Sequence, residues 1–384
     1  RNRFTVVVCP AKDHRPAGLE ISGPMTHTSQ TLCALCGAAD VRPLDFDSII
    51  LPTSSGNPAL HTYTNLVCGG CGVVFQDPMP SSETLIEYYK TAYRASPHAI
   101  RIGDRDLDLP VNAQMNGLSF QRFKTFYNLI ESIVADHPGA QPTDQDHILD
   151  LGAYQGFFLY AAQAAWGCKG IAYDFNEDGL NFAKSALGIE RTIAARDILH
   201  DELDMCAKYC VLIHVFEHLD DPRALLARIR DEFLTDDGYL YLEIPNPEAC
   251  VLSDPTHLFM YTPDAIRLLL GGAGFEVLAM KVHGFPAAGS PLDNARMNIS
   301  LIARPAVAPV PPESAHKSAS SRVNELKRAH RRLALSMVVA SLRRAARICG
   351  RAMYDLFMVG FVEGVSSGIA RWSHDFLRGI IKHR

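Results

Sequence analysis

The chain has 384 residues, 47% of them hydrophobic, with mean hydropathy near zero, enough to bury a sizeable core over two or three domains. Its net charge of −5 is uneven: residues 317–384 hold 14 Lys and Arg against four Asp and Glu, which leaves the first 316 residues at −15. No run reaches 18 uninterrupted apolar residues, which argues against a membrane span, and ten cysteines with four in two CxxC pairs fit a reducing, cytoplasmic setting better than a secreted disulfide framework.

Residues 1–24 begin at Arg1 and hold only a brief apolar run, Phe4 to Val8, too short for a signal peptide. Met25 is the expected start and 1–24 a disordered extension. Residues 25–80 carry Cys33-Ala34-Leu35-Cys36-Gly37 and Cys68-Gly69-Gly70-Cys71-Gly72, separated by 31 residues. Each is a knuckle in which two thiolates face one point while the glycine permits the turn. Two knuckles make a closed tetrahedral sulfur set, suited to a structural zinc held by Cys33, Cys36, Cys68 and Cys71. Arg42 is the only Lys or Arg between Cys33 and Cys71, so a nucleic-acid footprint is not expected here.

Residues 81–146 read as a helical linker and cover: a Ser-capped amphipathic helix from Ser82, then a polar stretch, then helical spacing of apolar residues from Ser119 to Asp136, ended by His137-Pro138-Gly139. From 147 the pattern alternates: strand 147–151, helix 156–166, strand 169–174, helix 176–187, strands 191–194 and 209–215, helix 221–234, strand 238–244, helix 263–271, and strands near 275–282 and 297–303. Such alternation predicts a parallel sheet covered on both faces. Residues 305–321 form a Pro/Ala/Ser linker, and 322–384 a largely helical tail with arginines interleaved among apolar residues. Packing against the domain or a second subunit, giving a homodimer, and peripheral contact with an anionic membrane surface are both open for this tail.

The centre of the pattern is His147-Ile148-Leu149-Asp150-Leu151-Gly152-Ala153-Tyr154-Gln155-Gly156, a strand running into a glycine turn and a helix, where the backbone can pass close to a ligand at the helix N-terminus. Gly170-Ile171-Ala172-Tyr173-Asp174 follows, its carboxylate 18 positions after Gly156, and then come Asp197 and His214-Val215-Phe216-Glu217-His218-Leu219-Asp220-Asp221-Pro222. This set resembles the class I S-adenosylmethionine-dependent methyltransferases, and with the two knuckles it is similar to bacterial sugar and small-molecule methyltransferases that carry an N-terminal zinc-binding domain.

The resemblance covers 147–304, with weaker cover of 30–95. It implies a Rossmann-like α/β fold with a seven-stranded, mostly parallel sheet. It implies cofactor binding by Asp150, Gly152, Tyr154, Gly156, Asp174, Asp197, Ile198 and His214. Asp150 would help fix the amino-acid end, Asp174 the ribose hydroxyls, and Asp197 with the Ile198 backbone the adenine. Tyr154 stands where the family commonly has glycine, so either the loop is more open or the ring covers the ligand.

Past the fourth strand of the fold, His218, oriented by Glu217, or alternatively His257 from Asp254-Pro255-Thr256-His257, is the candidate base, since histidine titrates nearest neutral pH. Each histidine also reads as a polar residue holding a loop. A variant reading has His214, Glu217 and His218 bind a divalent metal, as the matching Glu-x-x-Glu-His segment does in some quinone-biosynthesis O-methyltransferases. The expected function is methyl transfer to a small acceptor: a sugar, nucleotide-sugar or glycan. The alternatives are a quinone or phenol O-methyltransferase and a non-catalytic scaffold with a cofactor fold. A nucleic-acid methyltransferase is disfavoured by the acidic catalytic half and by the lack of an Asn/Asp-Pro-Pro-aromatic motif.

Overall fold

The computed structural model describes residues 31–44, 63–90, 109–250, 254, 256–284, 296–306 and 317–349, and the chain divides into two units, Arg1–His330 and Arg331–Arg384. The extension 1–24, most of the linker and the tail beyond Cys349 lie outside the described residues.

The first unit opens with three short strands, β1 (Val41–Pro43), β2 (Thr64–Cys68) and β3 (Val74–Asp77), and two helices, α1 (Ser82–Lys90) and α2 (Leu109–Ile133). An alternating series follows: β4 (His147–Leu151), α3 (Phe157–Trp166), β5 (Lys169–Asp174), α4 (Glu177–Leu187), β6 (Arg191–Ala194), β7 (Ala207–Ile213), α5 (Pro222–Arg228) and β8 (Leu234–Pro245). It ends with β9 (Phe259–Met260), α6 (Pro263–Gly272), β10 (Phe275–His283), β11 (Asn298–Pro305) and α7 (Ala319–Cys349).

Seven strands form one sheet in the order β10-β11-β8-β7-β4-β5-β6. β4 pairs in parallel with β5 and β7, β5 with β6, and β7 with β8. β11 is the reversed strand, antiparallel to both β8 and β10. This is the seven-stranded, mostly parallel Rossmann-like fold that the resemblance implies, and the alternation foretold its parallel sheet covered on both faces. Side chains alternate across it: Leu149, Leu151, Cys210, Leu212, Leu240 and Leu242 pack on one face with Leu225 and Leu226 of α5 and Ile266 of α6. Ile148, Tyr209, Val211 and Tyr241 pack on the other with Phe126 and Ile130 of α2 and Phe158 of α3. Helix starts follow local chemistry, since Asn176, Asp221 and Thr262 each accept a backbone N–H of the first turn of α4, α5 and α6, and Pro222 and Pro263 fill first helical positions.

The helix expected from 119 begins at Leu109, and the expected helix 221–234 closes on a π-helical turn, Ile229–Phe233. The strands placed at 209–215 and 238–244 run instead over 207–213 and 234–245.

A second, antiparallel sheet has the order β1-β2-β3-β9. Its fourth strand comes from the far side of the sequence: Val74 pairs with Met260 and Phe75 with Phe259. Val67, Val74, Cys250 and Met260 bury one face of it against Val323 and Leu326 of α7. The helix reading of the tail therefore begins at Ala319 rather than 322, and its first turns, with buried Arg322 and His330, pack within the first unit. No helix among the described residues is long and apolar enough to cross a membrane.

Candidate functional site

The carboxyl ends of β4, β5, β7 and β8 lie side by side, and the candidate residues gather there. At the end of β4 the chain turns through Gly152 at φ 88°, Tyr154 at φ 49° and Gly156 at φ 74°. A Cβ on Gly152 would fall 2.4 Å from a methyl of Val215, so the turn lies against the segment that follows β7. Tyr154 adopts the left-handed conformation despite its side chain, which costs roughly 1–2 kcal/mol. Its N–H donates to Asp174 Oδ2 at 2.7 Å, and Asn176 N donates to Oδ1 at 2.7 Å, so the Asp174 carboxylate clamps both turns.

Asp150 is buried beneath this turn. Burial first, and the charge of Asp174 second, push it up to about 8, with Arg122 acting the other way. A cationic amino group brought to this place would ionise it. A buried acid beside a glycine turn at a helix N-terminus fits the amino-acid end of S-adenosylmethionine, and the Asp174 carboxylate fits its ribose.

Asp197 and Ile198 lie beyond β6, where the acid is engaged locally. Its Oδ1 accepts Leu199 N at 2.9 Å and its Oδ2 faces His200 Nδ1 at 2.8 Å, while Ile198 O accepts from Arg228 at 2.7 Å.

The segment after β7 holds the densest group of titratable side chains. His214, at φ 53°, lies between two buried carboxylates, its Nδ1 3.3 Å from Glu217 Oε1 and its Nε2 3.5 Å from Glu243 Oε1. Burial and Arg122 would lower the His214 pKa, but the two carboxylates outweigh them and raise it. Burial would raise Glu217 and Glu243, yet their neighbours hold both to about 2: for Glu217, His214 first, and for Glu243, His214 followed by Arg122. His257 goes down to about 4, through burial and then the neighbouring His218, so it is neutral at pH 7. His218 Nδ1 donates to the carbonyl of Thr256 at 2.7 Å, and the His218 and His257 rings stand 5.0 Å apart between centroids.

Glu217, His218 and His257 each bring a ligand atom within 4.8 Å of the others. His214 is not in that group; its third member comes from the 254–260 segment, distant in sequence. Sequence reasoning also missed the network behind Glu243. Arg122 Nε stands 3.0 Å from its Oε1, Ser300 Oγ donates to its Oε2 at 3.1 Å, and His283 Nε2 lies 2.8 Å from Ser300 Oγ. A glutamate inside the apolar run Tyr241 to Ile244 was the available signal; nothing local marks Arg122 or His283.

The four knuckle cysteines meet as expected. Their sulfurs lie within 4.8 Å of one another, with Cys33 and Cys71 3.7 Å apart and Cys36 and Cys68 3.5 Å apart. Four thiolates around zinc at about 2.3 Å stand about 3.8 Å from one another, so this set fits the ion closely. The knuckles are tied to the larger sheet: Arg223 donates to Leu35 O at 2.9 and 3.1 Å, and Arg322 to Gly69 O at 3.1 Å. Gln76 Nε2 donates to His257 O at 3.0 Å and Asp254 O at 3.3 Å.

Residues 125–280 match the family model of a methyltransferase domain. The matched stretch overlaps most of the seven-stranded Rossmann-like domain. No curated protein matches the chain. Among solved structures it is similar to an S-adenosylmethionine-dependent methyltransferase from Clostridium acetobutylicum ATCC 824, at 11% identity and TM-score 0.37, over 48% of this chain and 92% of that one. It is also similar to the CcbJ methyltransferase from Streptomyces caelestis, at 13% identity and TM-score 0.35, over 42% and 84%. A third likeness is to the glycopeptide N-methyltransferase MtfA complexed with sinefungin, at 16% identity and TM-score 0.34, over 41% and 80%.

Proposed function

We propose that the chain is an S-adenosylmethionine-dependent methyltransferase acting on a small acceptor, a sugar, nucleotide-sugar or glycan hydroxyl, with a structural zinc in its four-cysteine site. The observation that carries this reading is the pairing of a buried Asp150 and a clamping Asp174 on one glycine turn, with a buried carboxylate and two histidines at the neighbouring strand end. The methyltransferase-domain match over 125–280 supports the reaction class.

Bound S-adenosylmethionine supplies a methyl group already activated on a sulfonium. The chain then has to hold, align and deprotonate. Asp174 accepts the two ribose hydroxyl protons in addition to its backbone donors, since a carboxylate has about four acceptor sites. Asp150 faces the amino group, and Gly152 lets the turn approach where a side chain would meet Val215. His218 is oriented by its bond to Thr256 O, which leaves its Nε2 with the lone pair, and Glu217 stabilises the charge it gains on taking the acceptor's proton. His257, neutral beside it, is the second base in reach of the same space.

The test combines calorimetric binding of S-adenosylmethionine with labelled methyl transfer to a panel of nucleotide-sugars, lipid-linked glycans and phenols. Asp174→Ala is expected to weaken cofactor binding by more than about tenfold, because charge-assisted hydrogen bonds to the ribose are lost. An unchanged affinity would reject the cofactor site, and labelling of phenols alone would reject the sugar class.

A further inference from the structure

The group Glu217, His218 and His257 has features that a proton-transfer role does not use. Glu217 is fully buried, and neither of its oxygens accepts a hydrogen bond among the described residues; His214 stands 3.3 Å from Oε1 but outside hydrogen-bond geometry. A carboxylate taken out of water without hydrogen bonds needs positive charge facing it, and His214 supplies it on one side of Glu217 while the two histidines of the group face the same carboxylate.

The histidines are turned toward the same carboxylate. The Thr256 carbonyl can only accept, so His218 Nδ1 carries the proton toward it and Nε2 is the ring nitrogen on the side of Glu217. His218 Nε2 stands 3.8 Å from Glu217 Oε1, and His257 Nε2 lies 4.0 Å from the same oxygen. Asp254 Oδ2, 3.9 Å from His257 Nε2, adds outer negative charge, and its Oδ1 is fixed by Thr256 N and Oγ1.

We propose that Glu217, His218 and His257 bind a divalent first-row transition ion, separate from the four-cysteine site, whose open positions take the acceptor's hydroxyl oxygen. Two imidazoles and one carboxylate select zinc, manganese, iron or cobalt over the all-oxygen preference of magnesium and calcium, and lack the thiolates of the cysteine site. Donors at about 2.0–2.2 Å from such an ion stand about 3.0–3.4 Å apart, so side-chain rotations of roughly half an ångström close the site. The His218 and His257 side chains keep 21% and 16% exposure while Glu217 has none, so the ion would be held from the buried side and open toward solvent.

The inference deepens the proposed methyl transfer and rests on it for its purpose. A hydroxyl bound to the ion becomes acidic enough to lose its proton to water near neutral pH, so with the ion in place the histidines serve the acceptor as ligands, and His218 acts as the base of the proposed transfer only in the metal-free site.

Full-length protein is dialysed against a mild chelator until only tightly held zinc remains, then titrated with cobalt(II) and followed by visible absorption. One further equivalent is expected, with d–d bands and no thiolate charge-transfer band. His218→Ala and His257→Gln should each weaken it by more than about tenfold. Retained zinc at the cysteine site and an unchanged calorimetric affinity for S-adenosylmethionine report that each variant is folded. Absence of a second equivalent at millimolar cobalt, or a second equivalent indifferent to both histidine variants, overturns the site. If cobalt binds as expected while wild-type protein fails to bind S-adenosylmethionine, the proposed activity falls and the metal site stands.

Discussion

Asp150 illustrates how much one side chain can owe to the ones around it. An unfolded aspartate titrates at about 3.9, whereas burial and the neighbouring Asp174 push this one up to about 8. Between those values the folded chain holds a proton that the unfolded chain has lost, so stability falls as pH rises through that window. Asp150→Asn carries no such penalty. Its stability should lie close to wild type near pH 5 and exceed it by on the order of a few kcal/mol at pH 9, read by thermal denaturation at pH 5, 7 and 9. A difference that does not change with pH would count against a protonated Asp150. Asp150, Gly152, Gly156 and Asp174 were legible because their spacing is local to two strand ends. Arg122 and His283 were not, since only the folded sheet brings α2 and β10 to Glu243.

At the level of elements, the strands were readable almost residue by residue where an apolar run is short and flanked by turns, as in β4, β5 and β6. The reach of the cysteine-bearing sheet was not, because β9 is two residues long and carries no periodicity of its own. That pairing gives the sheet a second task. Gln76, 1% exposed on β3, holds the carbonyls of Asp254 and His257, and its own N–H donates to Leu258 O at 3.1 Å. Gln76→Ala should therefore lower kcat by about tenfold or more while cofactor affinity and zinc content stay at wild-type values, because His257 loses its backbone support and the glycine turn does not. Equal losses in turnover and in cofactor affinity would mean a general loss of stability instead.

For the whole molecule, the alternation of strands and helices foretold the larger sheet, while the joining of distant segments escaped the sequence. Asp40 accepts the N–H of Ala319 at 2.9 Å, and Arg322 reaches Gly69, so a segment near residue 40 and one near residue 320 close the same small sheet. A chain made from its N-terminus must therefore carry its cysteine knuckles through most of synthesis before their last partner emerges. Val67, Val74 and Met260 stay uncovered until Val323 and Leu326 arrive. Metal capture by the knuckles can precede that moment, but the finished surface cannot. Nascent chains arrested before residue 317 should bind an apolar-surface dye and be cut by protease between the knuckles, and chains arrested late enough for residue 330 to clear the ribosome should resist both. Biogenesis is completed by the helix that begins at Ala319.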